Sequence, residues 1–294
     1  MEKRVYIPWR VFIALAALGL IGSLGVLPYI SRLAGPAAEE LGSSVSFFLL
    51  SLIQGFVLST ILSLLGLLLA SYTGLGVPVF ARRLQPEIRG IRAEELYVNR
   101  YRGPLWTASG TPDAPAQGAG RPSIPGRWTH EWALPLAAGV ATGVILVLLD
   151  YFVFAPALTG RAVEGGATLG AADRPEWWRG LFASFYGGIV EEILLRLFFL
   201  NLIVFILMKL GRRGRGRPRE WYLRAGIIVS TLLFAAGHLP TVAATGTLSG
   251  IMVTRVLLLN SIAGIVFGIL FVRRGLLPAM ASHFSADIVL HVIV

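Results

Sequence analysis

The sequence predicts an all-α, polytopic transmembrane bundle of about seven spans with its N-terminus on the cytoplasmic side. Three observations carry this. Only 14% of the 294 residues are charged, against about 25% in a soluble domain, too few to cover a water-facing surface. Apolar runs recur at the length of about 20 residues that crosses a bilayer as a helix. Lys and Arg collect in alternate connecting segments, the bias that sets membrane orientation.

In chain order, the runs predict spans at Val11–Ile30, Ser46–Ser71, Trp132–Phe154, Leu181–Met208, Ala225–Leu239, Val256–Val272 and Leu276–Val294. The first exceeds the apolar core of a signal peptide, about 7–15 residues, and is expected to be an anchor. Lys3, Arg4 and Arg10 precede it, and Arg32 alone follows it. The next connection carries eight basic residues from Arg82 to Arg127. Arg161, Arg174 and Arg179 in the third connection are offset by Glu164, Asp173 and Glu176. The fourth carries seven, from Lys209 to Arg224. This alternation places the N-terminus inside and, with an odd number of spans, the C-terminus outside.

The expected organisation is a membrane hairpin over 1–80, a basic Gly/Pro-rich cytoplasmic loop over 81–131, and a five-span core over 132–294. Within the loop, 103–126 has little to bury and is expected to be flexible. The net charge of +10 resides in segments between apolar runs, which suits anionic lipid headgroups rather than nucleic acid. The chain has no cysteine, which excludes disulfides and thiolate metal sites.

Ionisable groups inside a span cost about 2.5–3.5 kcal/mol each on the insertion scale and mark function by default. Glu191-Glu192-Ile193-Leu194-Leu195-Arg196 lies in the fourth span. Glu192 and Arg196, four apart, share a helix face and can form a buried ion pair. Glu191 points elsewhere, has no local cation, and suits proton transfer as a general base or acid. Gly187 and Gly188, one turn earlier, are expected to let water or a substrate backbone approach. A packing role alone would account for Glu192 and Arg196 but not for Glu191. Phe234-Ala235-Ala236-Gly237-His238 ends the fifth span, and histidine is the usual proton-transfer group and metal ligand near neutrality. His283 and Asp287 in the seventh span share a face, and a carboxylate on an imidazole nitrogen fixes its tautomer. His291 extends that stripe towards the interface. The sequence contains no His-Glu-x-x-His, no Gly-x-Ser-x-Gly and no Walker A loop.

Glu-Glu-x-x-x-Arg, Phe-x-x-x-His and His-x-x-x-Asp, in order on separate spans, resemble the CAAX prenyl protease and bacteriocin-processing family of intramembrane proteases. Asn260, Gly264, Gly268 and Arg273-Arg274-Gly275-Leu276 add to the likeness, which covers about 181–294. The resemblance implies that Glu191 activates water with help from His238, that Glu192 and Arg196 are structural partners, and that His283 with Asp287 faces the developing oxyanion. Two chemistries stay open under it. One is metal-free. The other uses Zn²⁺ held by Glu191, His238, His283 and Asp287. Eukaryotic prenyl proteases carry asparagine where this chain has Asp287. An ionised Asp accepts hydrogen bonds only, which favours a tautomer-fixing or metal-ligating role, and the departure from the eukaryotic pattern implies a prokaryotic cell membrane.

The function so implied is an endopeptidase acting on a membrane-associated protein or peptide. The alternatives are a non-catalytic immunity or scaffold protein and a proton-coupled transporter. Transporters usually show repeated halves, and no repeat is visible here.

Overall fold

The structure is a computed structural model that describes residues 7–33, 45–84, 87–88, 91–92, 127–159, 175–214, 218–245 and 248–294. The expected flexible segment 103–126 lies outside the described residues. Among the described residues, seven helices are long and apolar enough to cross a membrane: Trp9–Ser31, Gly55–Thr73, Trp132–Leu158, Trp177–Leu210, Glu220–Ala243, Gly250–Arg274 and Leu276–Ile293. They correspond one to one with the expected runs. The other described elements include a short helix Pro78–Leu84 and a two-residue antiparallel ladder pairing Glu87–Ile88 with Ile91–Arg92. The chain is an integral membrane protein.

The fifth span starts five residues earlier than its apolar run. Glu220 and Arg224, four apart, pair on the helix surface, so the charged first turn is stable as helix. The third span shows how a lipid face is written. Leu134, Val140, Val144, Ile145 and Leu148 are exposed along one side, while Leu146 is buried on the other. Buried hydroxyls mostly satisfy themselves on their own helix. Ser23, Thr142, Ser184 and Ser285 each donate to the carbonyl four residues back, at 2.7–2.8 Å, a local bond that hydroxyl side chains make readily.

The fourth span is central. Its lower half shares one core with the first two spans, where Val11, Leu15, Leu62 and Leu67 meet Ile193, Leu197 and Leu200. Thr73, closing the second span, donates to Asn201 Oδ1 at 2.5 Å, and Asn201 Nδ2 donates to the Leu197 carbonyl at 2.9 Å. A second apolar cluster joins Leu146, Phe154 and Leu158 of the third span to Leu195, Phe234, Met252, Val256 and Phe267. Beside it, Arg255 makes a bidentate ion pair with Asp150, at 2.5 and 2.7 Å, which ties the sixth span to the third.

Spans six and seven are joined by Gly275 alone, at φ 91°, a conformation that favours glycine. The Leu276 amide, first in the seventh span, donates to the Gly76 carbonyl at 2.9 Å. A methyl group at Gly275 would lie 2.5 Å from Pro78 Cδ. The turn after span two is therefore seated directly against the start of span seven.

Candidate active site

The fourth span is not a uniform α-helix. It runs as α-helix over Trp177–Phe185, as π-helix over Tyr186–Glu191 and Ile193–Leu200, then as α-helix over Asn201–Leu210. The wider π turn rotates successive residues through less than the ~100° of an α-helix. The two adjacent glutamates reach the same imidazole. His283 Nδ1 donates to Glu192 Oε1 at 2.8 Å, and Glu191 Oε2 stands 3.7 Å from Nε2 of the same ring. Asp287 Oδ1, one turn along span seven, stands 3.6 Å from Nε2. Phe267 of the sixth span stacks on the imidazole, with centroids 4.5 Å apart and an interplanar angle of 22°.

Glu192 and Arg196 are both fully buried, with Nη1 2.9 Å from Oε1. Arg196 Nη2 donates to the Gly264 carbonyl at 3.2 Å. The guanidinium lies 5.0 Å from the Phe234 ring centroid and 5.5 Å from that of Phe267, within cation–π range. Glu192 is thus held by the guanidinium and in turn holds the His283 proton. The carboxylate expected to fix the His283 tautomer was Asp287. The structure gives the Nδ1 position to Glu192 and leaves Asp287 facing Nε2.

Glu191, Glu192, His283 and Asp287 therefore form one cluster. His238 is linked to His283 through a shared ring neighbour. Its ring meets Phe234 edge-on at 4.8 Å, Phe234 meets His283 at 5.6 Å, and His238 Nδ1 donates to the Phe234 carbonyl at 2.8 Å. Phe234 thus touches both histidines. Glu191 keeps 22% side-chain exposure, and His238 is half-buried.

Gly187 and Gly188 admit something other than the water or substrate expected of them. A side chain at Gly187 would strike Asp287 Oδ2 and approach His283 Nε2 at 3.3 Å; one at Gly188 would meet Phe284 Cβ at 2.9 Å. These glycines let span seven close on span four. The Asp150–Arg255 pair and the stacking role of Phe267 were not read from the sequence. Asp150 was a usable signal, as the one acid in the apolar run of span three.

The side chains weighed as zinc ligands are Glu191, His238, His283 and Asp287. Among the described residues, no three His, Asp or Glu side chains are placed to hold one ion together.

One family model matches the chain, that of type II CAAX prenyl endopeptidase Rce1-like proteins, over residues 173–289. No curated protein and no solved structure matches. The matched stretch contains Glu191, Glu192, Arg196, His238, His283 and Asp287, the residues on which the likeness of sequence rests. Residues 173–289 of this membrane protein are thus similar to type II CAAX prenyl endopeptidase Rce1-like proteins.

Proposed function

We propose that the chain is an intramembrane endopeptidase in which Glu191 activates water for attack on a peptide carbonyl. The observation that carries the reading is the spacing around His283 Nε2, with Glu191 Oε2 at 3.7 Å and Asp287 Oδ1 at 3.6 Å. Both gaps exceed a direct hydrogen bond and suit a water bonded to the two groups it lies between. Glu191 takes a proton from that water as its oxygen bonds to the carbonyl carbon. The same proton then passes to the leaving nitrogen as the C–N bond breaks, which yields a carboxylic acid and an amine.

Glu192 fixes the ring by accepting from Nδ1. With carboxylates at both ring nitrogens, the imidazole can carry a proton on each, and Nε2–H then donates to the oxyanion. His238, with Nδ1 occupied by a carbonyl, keeps Nε2 for assistance at the substrate. Metal analysis of the purified protein tests the alternative in which zinc is the electrophile. The substrate is a membrane-associated protein or peptide in a prokaryotic cell membrane. Exposed Arg212 and Arg213, after the fourth span, face anionic headgroups at the cytoplasmic side.

The test compares purified wild type with Glu191→Ala on membrane-embedded peptides. Loss of cleavage by about 10²–10⁴-fold is expected for removal of a general base. Equal cleavage by both proteins, or none by wild type across a peptide panel, refutes the reading.

A further inference from the structure

The first span lies outside the matched stretch, yet it touches both helices that carry the cluster. A methyl group at Gly25 would lie 2.5 Å from the Phe182 carbonyl oxygen. One at Gly22 would lie 2.8 Å from Val190 Cγ2 and 3.1 Å from the Phe185 carbonyl oxygen. The backbone of span one thus rests on span four where the π-helix begins, at Tyr186. Span four meets span seven through Gly187 and Gly188 at the same level. At the end of span one, the Pro28 carbonyl accepts from Arg179 Nη1 at 2.8 Å, and Tyr29 Oη lies 3.4 Å from His291 Nδ1. Span one therefore fastens span four and span seven together at that end.

We infer that span one is a positioning element for the reaction, and that Gly22 sets the distance between Glu191 and the His283–Asp287 pair. The inference rests on the proteolytic reading for its kinetic consequence but not for its geometry. Val190, the side chain nearest Gly22, immediately precedes Glu191. Side-chain bulk at Gly22 pushes this part of the π-helix towards span seven. Gly187 leaves no slack there, because Asp287 and His283 already fill the space a Cβ would take. The displacement is therefore passed to Glu191 and the imidazole. Misplacement of reacting groups by about 1 Å can cost on the order of a hundredfold in rate. A shift of a few tenths of an ångström is enough to read.

The experiment uses full-length protein labelled with ¹⁵N-histidine in bilayer discs, with His283→Gln to assign the His283 ring signals. Gly22→Ala should move those signals and lower kcat on the order of tenfold, with KM held within about twofold, the pattern of lost positioning rather than lost binding. Adding Val190→Ala to Gly22→Ala should return both towards wild type. Gly250→Ala, whose methyl group would meet nothing within 4 Å, should change neither. If Gly22→Ala does not accumulate, Val190→Ile presses on the same contact from the other helix and should give the same ring shift. Unmoved His283 signals in Gly22→Ala, or in Val190→Ile where that variant is needed, overturn the inference. So does a shift in Gly22→Ala that Val190→Ala leaves unrelieved. If wild type cleaves no peptide, the proteolytic reading fails, while the ring spectra still decide the positioning claim.

Discussion

Replacing Arg196 with methionine removes the cation from the fully buried pair and keeps most of the side-chain volume. The guanidinium has three kinds of partner: Glu192 at 2.9 Å, the Gly264 carbonyl at 3.2 Å, and the rings of Phe234 and Phe267 at 5.0 and 5.5 Å. A hydrogen bond to a charged group contributes about 1.5–3 kcal/mol, and a desolvated cation–π contact about 2 kcal/mol. Against this stands the cost of burying the cation itself, several kcal/mol, which the variant no longer bears. The balance is dominated by what remains, a Glu192 carboxylate at 0% exposure whose other partner among the described residues is the His283 ring. Breaking a buried pair in this way costs about 3–5 kcal/mol, close to a thousandfold in the folding equilibrium. Unfolding in detergent, followed by intrinsic tryptophan fluorescence, measures it. Glu192→Gln combined with Arg196→Met leaves no orphan charge and keeps an oxygen for His283 Nδ1–H. It should recover about 1–3 kcal/mol of the loss. Wild-type stability in Arg196→Met, or strictly additive losses in the double variant, would refute the pairing.

Gly187→Ala places a methyl group against Asp287 and His283; kcat should fall at least about tenfold with the protein still accumulating, and unchanged kcat would count against the close packing of spans four and seven. Asp150→Asn breaks the bidentate pair with Arg255, whose side chains are 30% and 21% exposed. Partial exposure discounts the effect to about 1 kcal/mol, visible as a lowered unfolding midpoint with activity retained, and a midpoint equal to wild type would count against it. Metal content and chelator response decide between the two chemistries. The metal-free account expects cleavage to persist with less than one equivalent of bound metal and under strong chelation. Cleavage lost to chelator and restored by stoichiometric zinc would overturn it.

The seven spans were legible because crossing a bilayer demands a fixed length of apolar helix, and that demand is written residue by residue. The Glu192–Arg196 pair was legible because i and i+4 share a face within one helix. Sharing of Glu192 between Arg196 and His283 was not, since Glu192 and His283 lie ninety-one residues apart and meet only through packing. Nor was the π-helix of span four. Tyr186–Glu191 and Ile193–Leu200 are as apolar as an α-helix would be, and hydropathy does not register a change of turn. The contact of Phe234 with both His238 and His283 was not legible either, because it joins span five to span seven through packing alone. Gly187 was noticed for the right reason, the absence of a side chain, but the neighbour that uses the space comes from span seven.

The bond from the Leu276 amide to the Gly76 carbonyl bears on how the chain tolerates change. His283 lies seven residues into span seven, about 10 Å along its axis at 1.5 Å per residue, and Leu276 is docked where span two ends. That contact acts as a datum from which the imidazole's depth and azimuth are both measured. A single residue inserted after Gly275 would carry His283 about 100° around the helix and away from Glu192, with every apolar requirement of the span still met. Length variation is therefore confined by geometry rather than by hydropathy at 275–276 and at its seat in 74–78. A stretch that looks like an ordinary tight turn is as sensitive to insertion as the glutamates themselves.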